Sequence, residues 1–203
     1  MTRKSAPVRA IGVVALIPVL IGCANIRPVG IEPNLFAAGP PSPTEINWPA
    51  QYQPADATFY IRNEIDIAAP PQVIWDVIVE AETWPEWYEG AFDVEVLTSD
   101  DGTLGRGGKF SWRTMGLDFI SVIHEWEPPH RLGWESRRGD IKGYHAWLVV
   151  ETENGSRVIT DESQFGFLAN MQQLFLPNKL RELHDVWLIA IKARAESRVS
   201  GGS

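Results

Sequence analysis

The chain has 203 residues, with 18 basic and 26 acidic side chains and a formal net charge of −8. Its length allows one domain with extensions or two small domains, and a content of 44% hydrophobic and 22% charged residues is typical of globular proteins. The acidic balance argues against nucleic acid as a partner, because proteins that bind nucleic acid present positive charge to the phosphates.

The first 22 residues have the pattern of a signal peptide. Three basic residues precede an apolar stretch at 10–20, which is too short for a membrane-spanning helix of about 20 residues. The sequence Leu-Ile-Gly-Cys then occupies positions 20–23 and resembles the bacterial lipobox. That resemblance implies cleavage before Cys23 and acylation of the new N-terminus. An ordinary cleaved signal, or a cysteine without a role, is the alternative.

Cys23 is the only cysteine, so we expect it to carry the lipid anchor and the rest of the chain to contain no disulfide. Several acyl chains give stable membrane attachment, whereas one chain binds only weakly. We therefore expect a lipid-anchored protein of the cell envelope. Ala24 follows the cysteine instead of aspartate, which resembles outer-membrane sorting, on the periplasmic face, if the organism is Gram-negative. Removal of the leader leaves 15 basic and 26 acidic residues, a net charge of −11, so the body should stand off anionic headgroups.

Residues 23–56 read as a tether. Seven prolines fall within the 33 residues 24–56, and proline disfavours both helix and central strand. An extended, semi-rigid spacer is the expected structure. Trp48 and Tyr52 are unusual in a free linker, so we expect the chain from about residue 46 onward to pack on the domain.

The remaining elements follow in chain order from hydrophobic periodicity and turn signals. A strand is predicted at 59–67, a helix from the proline pair at 70–71 to about 81, and a helical turn at 84–88. Asn154-Gly155 is the strongest hairpin signal. A final helix is predicted from 168 to about 197, broken or kinked at Pro177, with a flexible tail at 199–203. Six more strands are predicted at 92–97, 108–114, 117–126, 131–137, 143–152 and 156–165.

This order of elements and several short motifs resemble a known family. The motifs are Ile65 to Trp75 (IDIAAPPQVIW), Trp84 to Trp87 (WPEW), Pro129 to Trp134 (PHRLGW), Gly143 to Trp147 (GYHAW), and Glu162 before Phe165-Gly166. Over residues 57–198 the chain resembles the polyketide cyclase/dehydrase and lipid-transport group of the START/Bet v 1-like (SRPBCC) superfamily. The resemblance implies an α+β helix-grip fold, in which a curved antiparallel sheet wraps around a long C-terminal helix and encloses a cavity.

Aromatic residues are the candidate lining of that cavity. The chain has nine tryptophans, most of which we expect to serve core packing, while two or three line a ligand site. By strand alternation Phe110 and Trp112 share a face, and the family pattern points His145 and Trp147 inward. The expected ligand-binding residues are Phe110, Trp112, Trp134, His145, Trp147, Phe165 and Trp187.

The best candidate for chemistry is His145 with Glu162 on the neighbouring strand. A buried carboxylate beside an imidazole can tune either group for acid–base work. A structural pair that orients a ligand is the preferred interpretation. The other histidines are placed less favourably: His124 shares a face with Trp126, and His184, next to Asp185, reads as a helix-surface or edge group. No local spacing of histidines is typical of a metal site, so neither metal nor cofactor is expected.

The outer face of the strand at 143–152 is apolar too, with Tyr144, Ala146, Leu148 and Val150. A strand that is buried on both faces needs cover on the outside. Either residues 46–56 or a second subunit could supply it, and the latter would make a homodimer.

Three functions remain open. The first is an envelope lipoprotein that binds or shuttles a hydrophobic molecule, such as a lipid, quinone or polyketide-like compound, in its cavity. The second is a cyclase/dehydrase-type enzyme with His145 and Glu162 as acid and base. The third is a structural envelope protein whose cavity is filled by its own side chains. Binding is preferred, because no sharp catalytic motif is present and a fold does not fix a function.

Overall fold

The computed structural model describes residues 45–201. The predicted leader, Cys23 and the tether up to residue 44 lie outside the described residues. Short 3₁₀ turns occur at Ala50–Tyr52, Pro54–Asp56 and Ala81–Glu86. The strands and longer helices are β1 Phe59–Ile67, α1 Pro71–Val79, β2 Phe92–Val96, β3 Lys109–Thr114, β4 Leu117–Glu127, β5 Arg131–Arg138, β6 Ile141–Thr152, β7 Gly155–Phe165, α2 Phe167–Phe175 and α3 Lys179–Gly201.

The seven strands of the described chain form one antiparallel sheet in the order β1-β7-β6-β5-β4-β3-β2. Strands β2 to β7 each pair with their neighbour in sequence, and β1 returns to pair with β7. With α3 packed against the sheet, this is the α+β helix-grip architecture, and the predicted fold is confirmed. The β6–β7 hairpin closes where Thr152 pairs with Gly155, so that His145 lies directly opposite Glu162.

The C-terminal segment is two helices that separate at Pro177, as the sequence predicted. A proline ring cannot donate the helix hydrogen bond, and α2 ends at Phe175 before α3 begins at Lys179. The predicted tail at 199–203 is wrong for residues 199–201, because α3 continues to Gly201. Arg198 holds the last turns in place, since its Nη1 donates to Glu80 Oε1, just after α1, at 3.1 Å.

The main core lies between the sheet, α1 and α3, and is dominated by indole rings. Trp84, in the 3₁₀ turn after α1, is fully buried and meets Trp187 of α3 edge-on at 5.0 Å. Its Nε1 donates to the Ile78 carbonyl oxygen at 3.0 Å. Trp187 also meets Trp147 of β6 edge-on at 5.0 Å, so aromatic packing, in the edge-to-face geometry that such rings favour, fixes α3 to the sheet.

A second, smaller core covers the outer face of β6. Ile46, Trp48 and Tyr52 are buried there against Tyr144 and Leu148. Tyr52 stacks on Tyr144 with ring centroids 5.6 Å apart. The segment from residue 46 therefore covers this face, which was the first of the two alternatives predicted, and the folded body begins before residue 57. Among the described residues, no helix has the length and apolar character needed to cross a membrane.

Candidate functional site

A cavity lies between the inner face of the sheet and α3. Its volume is about 40 Å³, which is room for roughly three water molecules. Apolar side chains form most of its wall, including Trp112, Leu183 and Trp187. The half-buried residues Met115 and Gln172 lie among its lining. The cavity is therefore small and mainly apolar, with room for a ring or a short chain segment.

Three polar side chains converge at this cavity: His145 of β6, Glu162 of β7 and His184 of α3. The sheet register places His145 opposite Glu162, with 3.4 Å between Nδ1 and Oε2. His184 approaches the same carboxylate oxygen through Nε2 at 3.2 Å. Both imidazoles are almost completely buried. We call these three residues the His-Glu-His cluster.

Two further side chains form hydrogen bonds with the His-Glu-His cluster. His145 Nε2 shares a hydrogen bond of 2.7 Å with Thr160 Oγ1. Gln164 donates from Nε2 to Glu162 Oε1 at 2.6 Å. Thr160, Glu162 and Gln164 are alternate residues of β7 and so share its inner face. His184 Nδ1 is buried and has no hydrogen-bond partner among the described residues.

The surroundings set the charges of the cluster. Burial lowers the pKa of His145 to about 3, and the proximity of His184 acts in the same direction. Burial acts to raise the pKa of Glu162, but the hydrogen bond from His184 and the nearby imidazoles outweigh it and hold that pKa below its usual value. At neutral pH the cluster therefore presents a neutral His145 next to an ionised Glu162.

These charges limit the chemistry. A neutral His145 has no imidazolium proton to give at pH 7, so its use as a general acid is disfavoured. The carboxylate can accept a hydrogen bond or attract a positive group, and the imidazoles can donate or accept. The cluster is thus suited to orienting one polar group of a ligand whose remaining surface contacts the apolar wall.

Of the predicted site residues, some line the cavity, some lie in the main core, and Phe165 lies on the outer face of the sheet. Trp112, His145, Glu162 and Trp187 line the cavity as predicted. Phe110, Trp134 and Trp147 are fully buried in the main core and do not line it. Trp134 still supports the cluster, because its ring lies 4.7 Å from that of His145.

Phe165 was predicted as a lining residue, and that prediction is wrong. Glu162 points inward, and Phe165 is three positions along the strand, so alternation directs it to the outer face. There it packs against Tyr52 at 5.8 Å.

The shared face predicted for His124 and Trp126 is also wrong. The register of β4 shifts between Ile123 and Glu125, and such a bulge breaks the alternation. Trp126 therefore packs inward on Trp75 at 4.9 Å, while His124 is exposed and lies 3.8 Å from Glu135.

Most of the other lining residues were not predicted, and His184 and Tyr88 are two of them. His184 was assigned to the helix surface, but it is only 2% exposed. It lies four residues after Leu180 and three before Trp187, so the helical spacing of the apolar stripe carried the signal. Tyr88 stacks on Trp187 with centroids 4.4 Å apart, and only the short motif around Trp84 pointed to that region.

Helix α2, which contributes Gln172 to the cavity lining, is unusually apolar on its exposed side. Its exposed apolar residues are Phe167, Leu168, Leu174 and Phe175, followed by Leu176. Singly exposed apolar residues are ordinary, but a contiguous set indicates an interaction site.

Comparisons with known proteins agree with this fold. The family model described as polyketide cyclase / dehydrase and lipid transport matches residues 58–196. A hypothetical protein from Helicobacter pylori is similar, with a TM-score of 0.69 and 25% identity over 74% of this chain and 96% of that one. The Zhui aromatase/cyclase from Streptomyces sp. R1128 gives a TM-score of 0.58 at 13% identity, over 70% of this chain and 95% of that one. A START superfamily protein from Mycobacterium smegmatis gives 0.53 at 14% identity, over 68% and 97%. No curated protein matches the chain.

Proposed function

The chain belongs to the polyketide cyclase / dehydrase and lipid transport family, and from that premise we propose that it binds a hydrophobic small molecule in the cavity between its sheet and α3, as a lipoprotein of the cell envelope. The observation that carries the proposal is an apolar cavity that contains the buried His-Glu-His cluster. An apolar wall with a few converging polar groups is the usual composition of a small-molecule site.

The ligand class follows from the wall and the cluster. The cavity suits one ring or short apolar segment with a hydrogen-bonding group, as in a quinone, a polyketide-like compound or one end of a lipid. Its volume of about 40 Å³ is too small for a larger ligand without movement. The break at Pro177 between α2 and α3 is the natural place for such an opening, because the regular helical hydrogen bonding stops there and a turn hydrogen bond of 3.2 Å, from Lys179 N to the Leu176 carbonyl oxygen, spans it.

The apolar side of α2 supports uptake from a membrane or from another hydrophobic carrier. Phe167 is 65% exposed and Phe175 is 67% exposed, and α2 also contributes Gln172 to the cavity. A ligand that passed along this helix would avoid bulk water. Anchoring through Cys23 would keep the domain within reach of the bilayer.

The binding test is an identification of whatever copurifies with the protein. The full chain, expressed with its own leader, is purified from membranes in mild detergent and its organic extract is analysed by mass spectrometry. Leu117→Trp fills the cavity, while Ile120→Trp makes the same change on the exposed face of the same strand. We expect a near-stoichiometric molecule from wild type and Ile120→Trp, and none from Leu117→Trp. Equal extracts from all three, or none from wild type, would favour a filled structural interior.

The anchor has its own test. Cells expressing wild type or Cys23→Ser are labelled with a traceable fatty acid, and the purified chain is examined for the label. We expect label only with Cys23 present. Label in neither protein would contradict the lipoprotein proposal and leave the binding proposal untouched.

An enzyme of cyclase/dehydrase type is the second candidate, and the position of ionised Glu162 at the cavity favours it. In that case Glu162 is the proton acceptor. Glu162→Gln distinguishes the two functions once the extracted molecule is known. A binder loses affinity for the molecule, whereas an enzyme keeps much of its affinity and loses turnover.

A further inference from the structure

We propose that His145, Glu162 and His184 bind a divalent transition-metal ion, with Zn²⁺ as the ion best matched to the donors. Two imidazoles and one carboxylate are a ligand set that zinc uses in proteins, with bond lengths of about 2.0–2.2 Å. This site would be present whichever apolar molecule occupies the cavity. It goes beyond the proposed function and does not depend on it.

The donor atoms are already close together. One ligand atom from each of the three residues lies within 4.8 Å of the other two. In a tetrahedral site with bonds of this length, neighbouring donors are about 3.3 Å apart. Glu162 Oε2 lies 3.2 Å from His184 Nε2 and 3.4 Å from His145 Nδ1. Two of the three separations therefore match a metal site before any adjustment.

The third separation, between the two imidazoles, requires a rotation. The rings are stacked, with centroids 4.7 Å apart and planes inclined by 21°. A metal ion must lie near the plane of each imidazole, so at least one ring has to turn. His184 makes no hydrogen bond through Nδ1 with any described residue, so a turn of its ring breaks no hydrogen bond at that atom.

Neighbouring side chains are arranged as they are around many metal ligands. A histidine that binds metal through one nitrogen commonly donates a hydrogen bond through the other, which fixes its orientation. Thr160 Oγ1 is the partner of His145 Nε2 at 2.7 Å, on the side of the ring away from Glu162. Gln164 holds the other carboxylate oxygen of Glu162 at 2.6 Å.

The cavity supplies what a reactive metal site needs besides ligands. Three protein ligands leave one tetrahedral position open, and all three residues line the cavity. That position would face a water molecule or an oxygen atom of the bound molecule. The sequence predicted no metal site, because the three donors come from separate elements instead of one local motif.

The test is a metal titration that needs no organic ligand. The full chain in detergent is dialysed against a chelator, and Zn²⁺ binding is measured by calorimetry. Co²⁺ is then added as a spectroscopic probe of coordination. We expect one equivalent of Zn²⁺, and intense visible Co²⁺ bands typical of four or five ligands. His184→Gln and Glu162→Gln should each weaken binding by about a hundredfold, and Thr160→Val by about tenfold.

His124→Gln is the matched control, because His124 is exposed and lies outside the cavity. It should bind like wild type. Circular dichroism checks that every variant is folded, and Thr160→Val keeps all three donors if His184→Gln does not fold. Wild-type protein that binds no Zn²⁺, or binds it no better than His184→Gln does, would overturn the proposal. Either result leaves the extraction experiment on the apolar ligand unaffected.

Discussion

His184 of α3 stacks on His145 of β6, with ring centroids 4.7 Å apart, and both imidazoles face the same oxygen of Glu162. The contact joins the C-terminal helix to the centre of the sheet through polar groups, inside a core that is mainly apolar. Such a network is costly unless its members are satisfied, and His184 Nδ1 has no hydrogen-bond partner among the described residues. Its presence at the cavity is therefore more informative about function than the surrounding tryptophans.

Removal of the charge on Glu162 should destabilise the protein. Glu162→Gln replaces a carboxylate that accepts hydrogen bonds from His184 and Gln164 with an amide that accepts more weakly and adds a donor. Hydrogen bonds to charged groups contribute about 1.5–3 kcal/mol each, so we expect a loss of about 2 kcal/mol in the free energy of unfolding. Urea denaturation measures it. Glu95→Gln, on an exposed position of β2, should change stability by less than about 0.5 kcal/mol. Equal effects of the two variants would refute the structural role of the network.

Much of the fold could be predicted from the sequence because its signals are local. Alternation marked the strands, and glycine- or proline-containing turns separated them, so the antiparallel order followed. The same hairpin placed His145 and Glu162 on adjacent strands, while the family resemblance supplied the inward direction of His145. Pro177 marked the break between α2 and α3 for a covalent reason that no tertiary contact can override.

The other predictions about the site failed mainly because they required knowledge of contacts between distant parts of the chain. His184 is a polar residue beside Asp185, and only its position in the apolar stripe of α3 distinguishes it from a surface group. The bulge in β4 reverses the alternation at His124, and no residue type in that part of the sequence indicates a bulge. Phe165 is different, because its odd spacing from Glu162 already placed it on the outer face.

The N-terminal segment should contribute to stability as part of the folded body. Tyr52 is fully buried, stacks on Tyr144, and its carbonyl oxygen accepts a hydrogen bond from Ser163 Oγ at 2.9 Å. Truncation of a buried aromatic residue costs about 3–5 kcal/mol, so Tyr52→Ala should lower the melting temperature by many degrees. It should also expose the outer face of β6 and promote association.

Gln51→Ala is the control for that experiment, because Gln51 is exposed one position away. Calorimetry gives the melting temperature, and light scattering after size exclusion gives the oligomeric state. A Tyr52→Ala protein that is as stable and as monomeric as Gln51→Ala would show that residues 46–52 are a passive tether.

The junction between β7 and α2 requires a glycine. Gly166 has φ +108° and ψ 172°, a region that only glycine occupies readily, and a Cβ there would lie 2.2 Å from the Asp140 carbonyl oxygen. Gly166→Ala should cost about 2–3 kcal/mol from strain alone, and more if the Asp140 backbone must move. Gly105→Ala is the control, because a Cβ at that position meets nothing within 4 Å. Hydrogen exchange should show faster opening of α2 in Gly166→Ala, and unchanged exchange would contradict the constraint.

Asp161 should make the protein less stable as the pH rises. Burial raises its pKa to about 7, despite the opposing charge of Arg62 and the hydrogen bond from Tyr60. The unfolded chain loses this proton near pH 4, so between about pH 4 and 7 only the folded state still binds it, and stability falls with rising pH. Asp161→Asn should remove this dependence, which amounts to about 2 kcal/mol between about pH 5 and 8. Asp56→Asn, at an exposed position, should leave the slope unchanged. Parallel stability curves for wild type and Asp161→Asn would contradict the assignment.

His145 should have the opposite effect on the pH dependence. Its pKa is 6.5 in an unperturbed chain and about 3 in the folded protein, because burial disfavours the imidazolium. Acidification from about pH 7.5 to 5 therefore protonates the unfolded state only, and the His145 contribution to stability falls by about 2 kcal/mol. The terms from Asp161 and His145 oppose each other, so wild type should show little net slope in this range. On acidification His145→Gln should become more stable and Asp161→Asn should become less stable. His124→Gln is the control and should change as wild type does. Urea denaturation at matched ionic strength measures all of them. The result that would contradict this is a free energy of unfolding that changes with pH equally in His145→Gln and in wild type. His145 would then have the same pKa in the folded and unfolded states, and the neutral state assigned to it would be wrong.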